Sequence, residues 1–167
     1  MKVVVEDANV LLDLVNGGIL ALWLGAGFEN CTTHLVWQEV TVTAQREYVQ
    51  PFVEAGLLQL EDVFPDWWSE ILRLSDEVGI SITDSSVWIL ARERRAILLT
   101  GDSKLRRHVQ RAGVEVRGVL WVLDHLVETG RLQPEDAANS LRLMISTGAF
   151  LPRDECNKRI RGWLARR

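Results

Sequence analysis

The chain contains little cysteine and has no long apolar run. Its two cysteines, Cys31 and Cys156, are too few for a disulfide framework or a cysteine-based metal site. No apolar stretch approaches the roughly 18–20 residues that cross a bilayer. Glu6 and Asp7 stand where a secretory signal would be uncharged, so secretion is not expected. We therefore expect a cytoplasmic protein with reduced thiols.

Repeats, low-complexity tracts and flexible linkers are also missing, which excludes a repeat array and favours one domain over residues 1–167. Positive charge is scarce in the first half of the chain. Residues 1–84 hold 3 Lys and Arg against 14 Asp and Glu, whereas residues 85–167 hold 16 against 9. This asymmetry is consistent with an acidic site beside a phosphate-attracting surface, and equally with charge spread unevenly over solvated faces. The net charge of −4 argues against a protein that coats nucleic acid.

Short β-rich runs alternate with helical patterns along the chain. The predicted strands are residues 2–5, 31–34, 57–63, 96–100 and 114–116. The predicted helices are residues 9–15, 19–24, a helix carrying Glu39, 65–77, one beginning near Thr83, 103–112, 119–129, 134–146 and 153–166. Such alternation predicts an α/β fold with a parallel sheet and helices on both faces.

Four acidic residues lie where predicted elements begin or end. Asp7 follows the first strand and Asp102 follows the strand AILLT, so both belong at the carboxyl edge of the sheet, where ligands bind. Asp84 opens a mid-chain helix, and Glu39 lies one turn into a helix. Crowded carboxylates raise one another's pKa unless a cation offsets their charge, and an all-oxygen set of ligands suits Mg²⁺ or Mn²⁺.

Each of these acids also has a purely structural interpretation. Asp7 and Asp102 would cap the helices that follow them. Asp84 would be the acid of a capping box that begins at Ser81, and Glu39 would be an ordinary solvated residue. Capping alone does not require an acid at all four positions, so the joint pattern favours a metal site.

Four stretches, in order VVVEDANVLLDLV, LVWQEV, ITDSSVWILA and ILLTGDSKLR, resemble the PIN domain family over about residues 2–118. The resemblance is strongest to the prokaryotic branch that contains VapC-type toxins. It implies a three-layer α/β/α sandwich around a mainly parallel sheet and metal-dependent ribonuclease activity. Residues 132–167 exceed the length of a small toxin and resemble the C-terminal helical extension of a PIN-like group.

The resemblance also implies roles for individual residues. Asp7, Asp84 and Asp102 would hold one or two Mg²⁺ or Mn²⁺ ions, and Glu39 would complete the site directly or through water. The supporting polar residues would be Asn9, Thr100 and Ser103. Water would attack the phosphate of an RNA substrate, leaving a 5′-phosphate and a 3′-hydroxyl. A small antitoxin protein and a homodimer are the partners that the family implies.

The helix after Asp102 carries a basic stripe that contains Lys104, Arg107 and Arg111. We interpret it as a surface that binds the phosphates of the substrate, although a solvated face opposite the core would look the same.

Three other functions can be compared with the sequence. The main alternative to a nuclease is a catalytically silent PIN-like module that binds metal, RNA or a protein. A phosphoacceptor receiver domain fits poorly because Asp62 comes late in its strand, and a dehalogenase-like phosphatase fits poorly because EDANV lacks a DxD pair.

Overall fold

Five parallel strands form the centre of the protein, whose residues 1–166 are described by a computed structural model. The strands are β1 (Val3–Glu6), β2 (Glu29–Thr33), β3 (Leu58–Glu61), β4 (Ile97–Leu99) and β5 (Val116–Arg117). Their order in the sheet is β3-β2-β1-β4-β5, and every neighbouring pair is parallel. All three residues of β4 are buried, as expected for a central strand of a sheet covered on both faces.

Ten α-helices cover the two faces of this sheet among residues 1–166. They are α1 (Ala8–Asn16), α2 (Leu20–Leu24), α3 (His34–Glu39), α4 (Thr43–Glu54), α5 (Trp68–Val78), α6 (Ile82–Glu93), α7 (Ser103–Arg111), α8 (Val119–Glu128), α9 (Pro134–Ser146) and α10 (Arg153–Leu164). A 3-10 turn, Pro65–Trp67, precedes α5. The result is the predicted three-layer α/β/α sandwich.

One helix, α4, is absent from the sequence prediction. Only Val49 is buried in this helix, and Pro51 lies inside it, so it shows neither a clear apolar stripe nor an uninterrupted helical sequence. Glu39 is the last residue of the short helix α3, more than one turn after its start and shortly after β2, in keeping with the sequence prediction.

The C-terminal helices α9 and α10 pack onto the rest of the protein. Gly17, at the end of α1, lies against Met144 of α9, where an added Cβ would be 2.4 Å from Met144 Cε. In α10, Trp163 is 3% exposed and donates its Nε1–H to Asp124 of α8 at 3.0 Å. Residue 167, which belongs to the predicted extension 132–167, lies outside the described residues.

None of the helices within residues 1–166 is long and apolar enough to span a bilayer.

Candidate active site at the carboxyl edge of the sheet

The order in which strands are added to the sheet reverses between the neighbouring strands β1 and β4. The chain leaves β1 towards β2 on one side, and it leaves β4 towards β5 on the other. In α/β sheets a crevice opens outside the carboxyl ends of the strands at such a switch point, and ligands bind there. Asp7 and Asp102 follow these two strands, so both acids lie at this crevice.

Thr100 connects the two acids. Its hydroxyl donates to Asp7 Oδ2 at 2.7 Å and accepts from the Asp102 backbone N–H at 3.1 Å. The backbone N–H of Asp7 donates to the carbonyl oxygen of Leu99 at 2.9 Å, which continues the pairing of β1 with β4. The structure therefore brings Asp7, Thr100 and Asp102 together, as the sequence predicts.

Asp84 and Glu39 share the electrostatic environment of these two acids. Burial raises the pKa of Asp7 to about 6, and the negative charges of Asp84 and Glu39 raise it as well. Burial also raises the pKa of Asp84, and the charges of Asp102 and Glu39 raise it further. Asp84 is therefore within electrostatic range of the other three predicted acids, and Asp7 is within range of Asp84 and Glu39.

No positive side chain within residues 1–166 forms an ion pair with any of the four acids. None of the ion pairs formed within residues 1–166 includes Asp7, Glu39, Asp84 or Asp102. Asp7 is 2% exposed, Asp84 and Asp102 are half-buried, and Glu39 is exposed. The four acids thus form no ion pair within residues 1–166, and their side chains differ in exposure from the buried Asp7 to the exposed Glu39.

The structural interpretation is correct for three of the acids. Asp7 Oδ1 accepts from the Ala8 backbone N–H at 2.7 Å, and Asp102 Oδ1 accepts from the Leu105 backbone N–H at 2.7 Å, so both acids cap their helices. The Asp84 backbone N–H donates to Ser81 Oγ at 2.9 Å, which is one half of a capping box. Capping and convergence at one edge therefore occur together.

The side chains do not form a closed metal cluster. Across the described residues, no three His, Cys, Asp or Glu side chains are close enough to one another to hold an ion as they stand. The donor set nevertheless has the chemistry of a Mg²⁺ or Mn²⁺ site, because it consists of carboxylate oxygens with unrelieved mutual repulsion. Both oxygens of the Asp7 carboxylate accept hydrogen bonds from protein donors, which hold this carboxylate in place.

The other predicted site residues lie around this edge. Asn9 in α1 and Ser103 in α7 are exposed and line a groove that begins beside the acids. Lys104, Arg107 and Arg111 are exposed on α7, and the Lys104 ammonium donates to the Gly79 carbonyl oxygen at 3.0 Å. The phosphate-binding role of these three cations stays a prediction.

The groove contains residues that the sequence analysis does not assign to the site, above all Arg106, Arg117 and Phe150. Arg106 lies on the face of α7 that carries Ser103 and Gln110, at the i, i+3 and i+7 positions, and not on the stripe of Lys104 and its neighbours. This helical spacing is visible in the sequence, but the other walls of the groove are formed by segments far away along the chain.

Glu6, the residue before Asp7, lies outside the acidic cluster. Its side chain is fully buried and accepts from Trp23 Nε1–H at 3.1 Å, and Glu6 Oε2 has no hydrogen-bond partner among the described residues. Burial raises the pKa of Glu6 to about 8. At neutral pH this side chain is therefore mostly a neutral acid in the core.

A family model for the PIN domain, DUF3368, matches residues 3–164. The chain belongs to the PIN domain family. PIN domains are generally nucleases that use divalent metal ions and bind nucleic acid. The resemblance seen in the four sequence stretches is thereby confirmed.

Known proteins add information about the fold. No curated protein is significantly similar to this chain in sequence. The crystal structure of PAE2754 from Pyrobaculum aerophilum is similar to it with a TM-score of 0.53 and 16% sequence identity. The similarity covers 75% of this chain and 98% of that protein, so part of this chain has no counterpart there.

Proposed function

We propose that this PIN domain is a Mg²⁺- or Mn²⁺-dependent endoribonuclease that hydrolyses phosphodiester bonds of RNA. The observation that supports this proposal is an acidic group at the switch point of the sheet: Asp7 and Asp102 follow the two strands there, Asp84 and Glu39 are coupled to it electrostatically, and none of the four forms an ion pair within residues 1–166. A structural role as helix caps explains single acids, but it does not explain why four of them share one electrostatic environment.

Asp7, Asp84 and Asp102 would hold the metal ion, and Glu39 would complete the site directly or through water. A divalent ion bound there would stabilise the charge that develops on the phosphate and would acidify the attacking water. The protein contributes by orienting its acids. Thr100 and the Ala8 backbone amide fix both oxygens of Asp7, and the Leu105 backbone amide fixes one carboxylate oxygen of Asp102.

The supporting residues act on the substrate side of this site. Asn9 and Ser103 are exposed polar side chains where the groove meets the acids, and they would contact the phosphate next to the bond that is cleaved. Lys104, Arg107 and Arg111 would position the RNA backbone without reading its sequence.

The test is cleavage of a labelled single-stranded RNA by the purified chain with Mn²⁺, with Mg²⁺ and with EDTA. We expect cleavage only with a divalent ion and products that carry a 5′-phosphate. Asp84→Asn and Asp102→Asn should each lower the rate by at least about 100-fold. Asp136→Asn, which removes an exposed acid in the first turn of α9, is the matched control and should keep full activity. Full activity of Asp102→Asn would overturn the site assignment.

The main alternative is a catalytically silent PIN-like module. In that case no divalent ion would support cleavage, although RNA or metal binding would persist. A toxin role with a small antitoxin partner, a homodimer and a cytoplasmic location stay predictions from the resemblance and composition. A neighbouring reading frame for a small DNA-binding protein would support the toxin role.

A further inference from the structure

A groove leads from the acidic edge to the C-terminal helices. Its cavity of about 710 Å³ is bounded by α1, the start and outer face of α7, the β5–α8 junction and the turn between α9 and α10. Gly101 and Ser103, the two neighbours of Asp102, form the end that meets the acids. A molecule lying in the groove would therefore reach the proposed active site.

Arg106 places an unpaired positive charge in this groove. Its guanidinium is partly buried and donates to the Thr100 carbonyl oxygen at 3.0 Å, but no carboxylate of residues 1–166 forms an ion pair with it. Burial and the charge of Arg117 both lower the pKa of Arg106. Two neighbouring guanidinium groups, one of them without a carboxylate, form a site that favours an anion such as a phosphate.

Gly118 allows Arg106 to occupy this position. A Cβ at residue 118 would lie 2.8 Å from Arg106 Nη2, closer than real side chains approach. The φ of −124° at Gly118 is open to any residue, so a side chain at this position would act by displacing the Arg106 guanidinium and not by straining the backbone.

Aromatic rings lie in the same groove. Phe150, in the turn between α9 and α10, is 101% exposed, and no hydrophobic neighbour shields it. Trp121 is partly buried, and the Arg117 guanidinium lies over its ring at 5.9 Å from the ring centroid. Exposed aromatic rings beside arginines are the usual means by which proteins bind unpaired nucleotides.

The acids of the groove do not cancel these arginines. Asp124 and Glu155 are both engaged by Arg159, at 2.8 and 2.7 Å. Arg117 pairs with Glu115, which Lys2 also contacts. Asp13 lines the groove as well, but it forms no ion pair with Arg106 or Arg117. Among the arginines that line the groove, Arg106 is therefore the one that forms no ion pair with a carboxylate of residues 1–166.

We infer that the groove binds a single-stranded segment of the RNA substrate, with a phosphate at Arg106 and Arg117 and an unpaired base stacked on Phe150. This inference rests on the proposed function, because it takes the acidic edge as the place where the bound strand is cut. It adds a binding role for Arg106, Arg117 and Phe150, and it requires the strand to be unpaired where it crosses Phe150, since a base within a duplex cannot stack on a side chain from outside. The C-terminal turn supplies the stacking ring, so this part of the chain takes part in substrate binding.

The experiment measures RNA binding in EDTA by fluorescence anisotropy, with a labelled single-stranded 12-mer, about the length of a short binding site, and with a hairpin duplex of the same composition. Phe150→Ala should weaken binding of the single strand by roughly 5- to 100-fold and leave duplex binding nearly unchanged. Phe150→Trp should restore the affinity. Phe64→Ala removes an exposed phenylalanine outside the groove and is the matched control.

Arg106→Gln tests the phosphate contact. We expect weaker binding and a decrease of about one in the slope of log K against log salt concentration. Arg142→Gln, in α9 and outside the groove, should change neither quantity. Thermal unfolding of each variant shows whether it is folded. If Arg106→Gln does not fold, the inference is tested by Phe150→Ala alone, because Phe150 is fully exposed and its replacement should not disturb folding.

Unchanged single-strand affinity in Phe150→Ala would overturn the inference and would leave the groove to another occupant, such as a protein segment. Equal losses of affinity for the single strand and for the duplex in Phe150→Ala would also overturn the inference. Binding is measured without a divalent ion, so the result does not depend on cleavage. A chain that binds as expected but cuts no RNA with Mn²⁺ would refute the proposed function alone.

Discussion

Thr100 donates its hydroxyl hydrogen to Asp7, with 2.7 Å between Oγ1 and Oδ2. The two residues follow neighbouring strands, β4 and β1, and lie 93 positions apart along the chain. The same hydroxyl oxygen accepts the backbone N–H of Asp102. One side chain thus holds two of the four proposed site acids in a common frame, and it is itself buried.

Replacing Thr100 by Val should disturb this frame while keeping the shape of the side chain. Asp7 would lose a hydrogen bond that lowers its pKa, so that pKa should rise above about 6. We expect a loss of about 1–3 kcal/mol in the free energy of unfolding at pH 8, and slower RNA cleavage. Thr100→Ser keeps the hydroxyl, so its free energy of unfolding and its rate of RNA cleavage should be close to those of the wild type. Equal cleavage rates for Thr100→Val and wild type would show that Asp7 does not need this contact.

Divalent ions should stabilise the folded protein. At pH 8 the four acids repel one another, and an ion bound to them at 100 times its dissociation constant would add about 2.7 kcal/mol to the free energy of unfolding. Thermal unfolding with increasing Mn²⁺ measures this effect. The rise of the unfolding temperature with Mn²⁺ should be small in Asp84→Asn and Asp102→Asn, and as large in Asp136→Asn as in the wild type. Equal shifts in all four proteins would mean that Mn²⁺ binds elsewhere.

Glu6 should make stability depend on pH. Its pKa is raised from the model-peptide value of 4.5 to about 8, so the native state keeps a proton that the unfolded state loses between these values. Stability from this group is complete below pH 4.5 and declines as the pH rises towards 8, by at most about 1.4 kcal/mol per pH unit. Glu6→Gln removes the titration and keeps an acceptor for Trp23.

The measurement for this prediction is the difference in free energy of unfolding between Glu6→Gln and wild type, determined by denaturant titration between pH 5 and pH 9. The difference should move in favour of Glu6→Gln with rising pH and level off above about pH 8. A difference independent of pH would contradict the buried neutral state of Glu6. Glu128→Gln, at the end of α8 and exposed, should show no such trend.

Gly17 should be required for the packing of α9. A Cβ there would meet Met144 Cε at 2.4 Å, so Gly17→Ala forces Met144 to move and should destabilise the protein by about 1–3 kcal/mol. Gly25 is the matched control, because it also ends a helix and its Cβ would make an ordinary contact at 3.5 Å. The two variants are compared by denaturant unfolding. Similar stabilities would indicate that α9 is not held against α1 as described.

Much of the fold is predictable because its signals are local. The apolar run AILLT predicts a buried strand from its own residues, and the structure places β4 there. Asp7 and Asp102 can be assigned to one edge of the sheet because parallel strands end on the same side. Helix α4 escapes prediction because it buries only Val49, so its sequence lacks the periodicity that tertiary contacts impose.

The amino-acid sequence alone determined the alternation of strands and helices, the family to which the chain belongs and the acids at the carboxyl edge, because periodicity and residue order carry this information. Only the tertiary structure decided that Arg106, Trp121 and Phe150 share one groove and that Thr100 joins two of the acids. These residues come from separate elements, and their proximity results from how α7, α8 and the turn after α9 pack. Such packing depends on the combined fit of many side chains, which the spacing of a few residues does not encode.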